Sequence, residues 1–136
     1  MRISGRITEL MPTETASDEA LLETWRDLLD RKARAFSALE RALKPFDLGV
    51  SEYEVLERLV TGELEQRRMQ ELGDGLYLSQ SALSRAVARL EEDGLAERGL
   101  CTEDRRGIYV CPTDAGRKRW EAARPAHRAA LAEVLG

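Results

Sequence analysis

The chain has 136 residues, enough for one domain with a real core, and its 43% hydrophobic and 34% charged residues are those of an ordinary globular protein. No apolar run approaches ~18 residues, which excludes a transmembrane helix, and the stretch from Met1 to Pro12 has no long apolar core of a secretory signal, which points to the cytoplasm. The net charge of −4 lacks the basic footprint of most nucleic-acid binders, but phosphates feel the local patch, so a cluster of arginines on one face lifts that objection.

Residues 1–16 are poorly patterned. Ile3, Ile7 and Leu10 have helical spacing but Gly5 and Pro12 interrupt them, which predicts a flexible N-terminal arm. Ser17 or Asp18 can then cap a long helix ending near Leu43. Its apolar positions, Leu22, Trp25, Leu29, Phe36, Leu39 and Leu43, recur at three and four, with Lys32 interrupting the stripe and Pro45 and Gly49 closing the element. A helix of that length exceeds what so small a domain can cover, so part of the stripe is expected to pack on another chain.

Ser51-Glu52-Tyr53-Glu54 reads as a capping box ahead of a helix carrying Tyr53, Val55, Leu56, Leu59 and Val60, which stops at Thr61-Gly62. From Arg67 to Leu78 the pattern predicts a short extended piece and a short helix, with Met69, Leu72, Leu76 and Leu78 inward. Gly73 and Gly75 each weaken that helix by about 1 kcal/mol.

Ser79 caps the next helix, whose buried stripe is Ala82, Leu83, Ala86, Val87 and Leu90 and which stops at Gly94. Gln80, Ser81, Ser84, Arg85 and Arg89 lie away from the stripe. Small polar and basic residues on an exposed N-terminal half suit base edges and phosphates. Glu91, Glu92 and Asp93 oppose the dipole at the other end and keep it from phosphates. A strand with Arg98, a charged turn at Asp104, Arg105 and Arg106, and a strand through Ile108, Tyr109 and Val110 follow. Thr113 or Asp114 then caps a last helix running to Leu135, with a kink or break at Pro125. The whole is mainly α with a small β-hairpin wing: a winged helix-turn-helix with long terminal helices.

These pieces, LSQSALSRAVARLEEDGLAER, DRRG and PTDAG in that order and spacing, with SEYEVLERL and MQEL before them, resemble the MarR family of bacterial transcriptional regulators over about Leu21 to Leu135. The resemblance implies a homodimer on pseudo-palindromic double-stranded DNA, often released by a small aromatic or phenolic effector, a metal or an oxidant. Residues 17–45 and 113–136 would form the dimerisation region, with Leu22, Leu29, Leu131, Val134 and Leu135 carrying it, and 51–112 the DNA-binding region. Ser79, Gln80, Ser81, Ser84, Arg85, Arg89 and Arg98 would meet DNA. Arg106 would enter the minor groove, oriented by Asp104, with Arg105 over a phosphate. Trp25, Phe36, Tyr53, Trp120 and His127 suit either an effector pocket or plain packing. The chain departs from the family pattern at Gly73, in stopping at Gly136, and in its acidic net charge, which the family commonly tolerates.

Cys101 and Cys111 make no disulfide framework. A turn centred near Asp104 and Arg105 would set Cys101 opposite Ile108 or Tyr109, so no bridge forms inside one wing. One histidine is too few for a usual metal site, and no glycine-rich phosphate loop, HExxH or GxSxG is present, so neither an enzyme, a cofactor nor a metal is expected. The competing readings are a redox- or metal-responsive regulator and a winged-helix module that binds protein rather than DNA.

Overall fold

A computed structural model describes residues 6–62, 67–100 and 108–136. Helix α1 spans Arg6–Leu43, 38 residues, or about 57 Å at ~1.5 Å per residue. It therefore begins well before the caps at Ser17 and Asp18, and the segment expected to be an arm is continuous with the helix from Arg6 onward. Pro12 falls in its second turn. There the single ladder bond it deletes is the one to the carbonyl of Thr8, and the long run of turns behind it propagates cooperatively.

A 3-10 turn, Lys44–Phe46, uses Pro45 to end α1, and Asp47 at φ 55 reverses the chain. Helix α2 spans Val50–Thr61. Its cap is Gly49 rather than Ser51, and the carboxylate that reaches back is that of Glu52, whose Oε1 accepts from the Gly49 amide at 2.9 Å. Val50 is buried, so the helix begins at that anchor, and Ser51 is drawn into its first turn.

Strand β1 (Arg67–Arg68) leads into α3 (Met69–Leu72), a single turn that ends ahead of Gly73 and Gly75 instead of containing them. Helix α4 spans Gln80–Glu92, followed by β2 (Ala96–Leu100), β3 (Ile108–Pro112) and α5 (Asp114–Leu135). The sheet is antiparallel with order β1-β3-β2, so the short extended piece at Arg67 becomes a third strand beside the hairpin. The hairpin pairs Leu100 with Ile108, Gly99 with Tyr109 and Glu97 with Cys111. Cys111 thus faces Glu97, and the partners expected for Cys101 belong to its predecessors in the strand. Cys101, Asp104, Arg105 and Arg106 all lie outside the described residues.

The core gathers around α2: Tyr53, Val55, Leu56 and Leu59 meet Leu43 of α1, Leu72 of α3, Leu83, Val87 and Leu90 of α4, Val110 of β3 and Ala123 of α5. Two joints hold the wing to this core. Gly94, at φ +73, turns the chain after α4, and the Leu95 amide bonds back to the Leu90 carbonyl at 2.8 Å. Thr113 then caps α5 through the Gly116 amide and ties back to Gly94 with its hydroxyl on that carbonyl at 2.7 Å. Helix α5 runs unbroken through Pro125. Pro125 and Glu121 are both exposed, so the carbonyl that the proline leaves without an amide lies on the solvent side of the helix.

Candidate nucleic-acid interface and the network behind it

Helix α4 divides cleanly by face. Leu83, Ala86, Val87 and Leu90 are buried, while Gln80, Ser81, Ser84, Arg85 and Arg89 are all exposed. Ser79 accepts from the Ala82 amide at 3.1 Å and sits 3.2 Å from the Ser81 hydroxyl. The first turn is thereby capped, and the other amides of that turn add their partial positive charge to the polar face. Arg85 has no ion-pair partner among the described residues. Its fork of donors suits bidentate bonding to a guanine edge or a phosphate.

Of the arginines expected at DNA, the other two that fall among the described residues are engaged. Arg89 lies 3.7 Å from Asp93, and Arg98 donates from Nε to Glu91 Oε1 at 2.9 Å. The acid cluster that ends α4 thus holds two of the cations expected at DNA. Surface pairs of this kind contribute only about 0–1 kcal/mol, so a phosphate competes for either guanidinium at low cost. Arg68, in β1, lays its guanidinium over the Tyr109 ring, 5.9 Å from its centroid, on the far side of the wing.

Behind α4 a polar network joins α2 to α5. Glu57 Oε1 accepts from Arg128 at 2.5 Å, Tyr53 at 3.2 Å and Trp120 Nε1 at 3.3 Å. Arg128 also donates to the Tyr53 hydroxyl at 3.3 Å and to His127 Nδ1 at 2.6 Å. Since a guanidinium only donates, His127 Nδ1 must accept, leaving the imidazole proton on Nε2. The imidazole stacks on Tyr53 with centroids 4.1 Å apart. Burial, reinforced by the Arg128 charge and partly opposed by Glu57, holds His127 below its ordinary pKa. Burial alone would raise the Glu57 carboxyl, but the bonds from Arg128, Trp120 and Tyr53 outweigh it and leave it lowered. Of the five residues considered for a pocket, Tyr53, Trp120 and His127 meet here. Trp25 and Phe36 do not join them: they lie on the exposed side of α1.

The chain shares 31% sequence identity with AbsC, a MarR family transcriptional regulator from Streptomyces coelicolor, over 82% of this chain and 76% of that one, with a TM-score of 0.75. It belongs to the MarR family. The family model matches residues 46–107, from the turn before α2 to the residue before β3. Sco3205, a MarR family regulator from the same organism solved in complex with DNA, aligns at 29% identity over 84% of this chain and 72% of its own, TM-score 0.77. CouR from Rhodococcus jostii, solved bound to p-coumaroyl-CoA, aligns at 30% over 79% and 76%, TM-score 0.70.

In this MarR-family chain the residues expected to dimerise separate into two groups. Leu22 and Leu29, 53% and 46% exposed, share the outer half of α1 with Leu21, Leu28 and Trp25, and Leu135 is exposed at the end of α5. Leu131 and Val134 instead pack against the subunit's own core, where the end of α5 crosses α1 near Ala38. Both are only half-buried there, so they contribute to the packing of α5 on α1 and still present part of their surface outward.

Two features escaped the reading of the sequence. The Glu57–Arg128 pair spans 71 residues, so no local spacing announces it. Tyr77 lies between Leu76 and Leu78, the pair expected to face inward, and the pattern assigns it no role of its own. The two leucines do pack on the core, while Tyr77 is 100% exposed.

Proposed function

We propose that this chain is a homodimeric transcriptional repressor that occupies a pseudo-palindromic operator and is released by a small aromatic or phenolic effector. The observation that carries the reading is the exposed, capped N-terminal half of α4, with Gln80, Ser81, Ser84 and the unengaged Arg85 on one face. Residues 51–112 form the DNA-binding region, and 17–45 with 113–136 the dimerisation region. Two copies of α4 enter successive major grooves about one helical turn apart, while Arg106 of each wing enters the minor groove, Asp104 orients it and Arg105 meets a phosphate.

The Glu57–Arg128 network lies where α5 meets the DNA-binding region, so an effector that engages its donors changes how α4 is carried by the long helices. It acts only through a difference in affinity between the two arrangements. No catalytic step is assigned to the chain, and its place of action is the cytoplasm, where the operator is.

The test is operator affinity against salt for the wild type, Arg85→Ala and Arg106→Ala. Each variant is expected to lose about 1–3 kcal/mol, and one that loses a phosphate contact flattens the salt slope by about 1. Unchanged affinity for both variants would remove α4 and the wing from the mechanism.

A further inference from the structure

Tyr77 is the most exposed of the large apolar side chains among the described residues, and none of those residues holds its ring or its hydroxyl. Its position is nevertheless well determined. Gly75, at φ +81, turns the chain with the Arg58 guanidinium packed against it, and the Leu76 amide bonds to the Gly73 carbonyl at 3.1 Å. Leu76 and Leu78 then anchor on the core, in a segment without helical structure where successive side chains alternate. Tyr77 is thereby pointed outward two residues before the α4 cap, and exposed Gln80 and Ser81 follow that cap in the chain. A tyrosine offers a broad, stiff ring with only two side-chain torsions and a neutral hydroxyl donor, so it gains contact area at small entropic cost.

Resting on the reading of α4 as the recognition helix, we propose that Tyr77 lies against the DNA backbone at the rim of the major groove and donates its hydroxyl to a phosphate in each half-site. The contact fixes how far the start of α4 enters the groove. It adds affinity without a charge, so it releases no counterion and leaves the salt dependence to the arginines.

The experiment uses the full chain and the duplexes that wild-type protein selects from a random library. Affinities of wild type, Tyr77→Phe and Tyr77→Ala are measured over a salt series, with ethylation interference mapped for each. Tyr77→Phe is expected to bind roughly 2- to 10-fold more weakly, the range of one hydrogen bond, with an unchanged salt slope. Tyr77→Ala loses more, because the ring contact goes as well. One phosphate per half-site should block wild type when ethylated and make no difference to Tyr77→Phe. Circular dichroism and melting temperature should not move, since the side chain is fully exposed and no described residue rests on it. Wild-type affinity in Tyr77→Phe overturns the proposal, whatever Tyr77→Ala does. A wild-type chain that selects no duplex at all overturns the operator-binding reading together with it.

Discussion

Replacing Leu22 and Leu29 together by aspartate should dissociate the dimer without unfolding the subunit. Both side chains lie on the outer half of α1 and remain about half exposed in the single chain, at 53% and 46%. Full burial of a leucine contributes about 1.5–3 kcal/mol, so each has roughly 1 kcal/mol still to gain from a partner. Four such side chains in a two-fold dimer amount to about 4 kcal/mol. At ~1.4 kcal/mol per factor of ten, losing them weakens association about a thousandfold. Four carboxylates forced into the interface add a desolvation cost on top. Sedimentation equilibrium should therefore show monomers at concentrations where the wild type is dimeric. The emission of Trp25, on the same stretch of helix and 56% exposed in the subunit, should shift to the red as it enters water, with helix content unchanged. A variant that sediments as the wild type does would show that this half of α1 is not the interface.

Two further outcomes follow from the core. Gly116→Ala is expected to lower stability by about 1–3 kcal/mol in urea unfolding, because its Cβ would drive into the Leu95 backbone carbonyl in the first turn of α5; an unchanged midpoint would mean that turn yields freely. Acid should weaken the fold through His127. Its native pKa lies below the ordinary 6.5, so the unfolded chain binds the proton first, and the stability from neutral His127 is whole above about pH 6.5 and declines as pH falls beneath it. Glu57, also lowered, adds a second decline only below its ordinary 4.5. The difference in urea midpoint between wild type and His127→Gln should therefore vary between pH 7 and 5.5, and a constant difference would refute the assignment.

Local chemistry settled much of this protein in advance. The periodic stripes of α1 and α4, the Ser79 and Thr113 caps, and the turn glycine at Gly94 act within a few residues, so helix, wing and helix could be placed in order from residue types alone. The spacing of LSQSALSRAVARLEEDGLAER, DRRG and PTDAG likewise carried the family. Where two local signals competed, tertiary packing decided. Buried Val50 moved the start of α2 to Gly49 over the better-looking box at Ser51, and cooperative propagation carried α1 back through Pro12.

What no local rule could decide were matters of which surfaces meet. Leu22 and Leu131 are both apolar positions on terminal helices, yet only the fold shows that Leu131 packs partly on the core of its own chain while Leu22 stays 53% exposed. Arg98 and Arg85 look alike in the sequence. The hairpin lays Arg98 against Glu91 and leaves Arg85 open to a ligand. Glu57 and Arg128 become partners only because α5 returns across α2, and Tyr77 faces water only because leucines on either side take the core. Hydrophobic pattern and caps depend on neighbours within one or two turns. Which surfaces pair and which stay open depends on how the elements close on one another: the hairpin turns Arg98 back to Glu91, and α5 brings Arg128 to Glu57 across 71 positions.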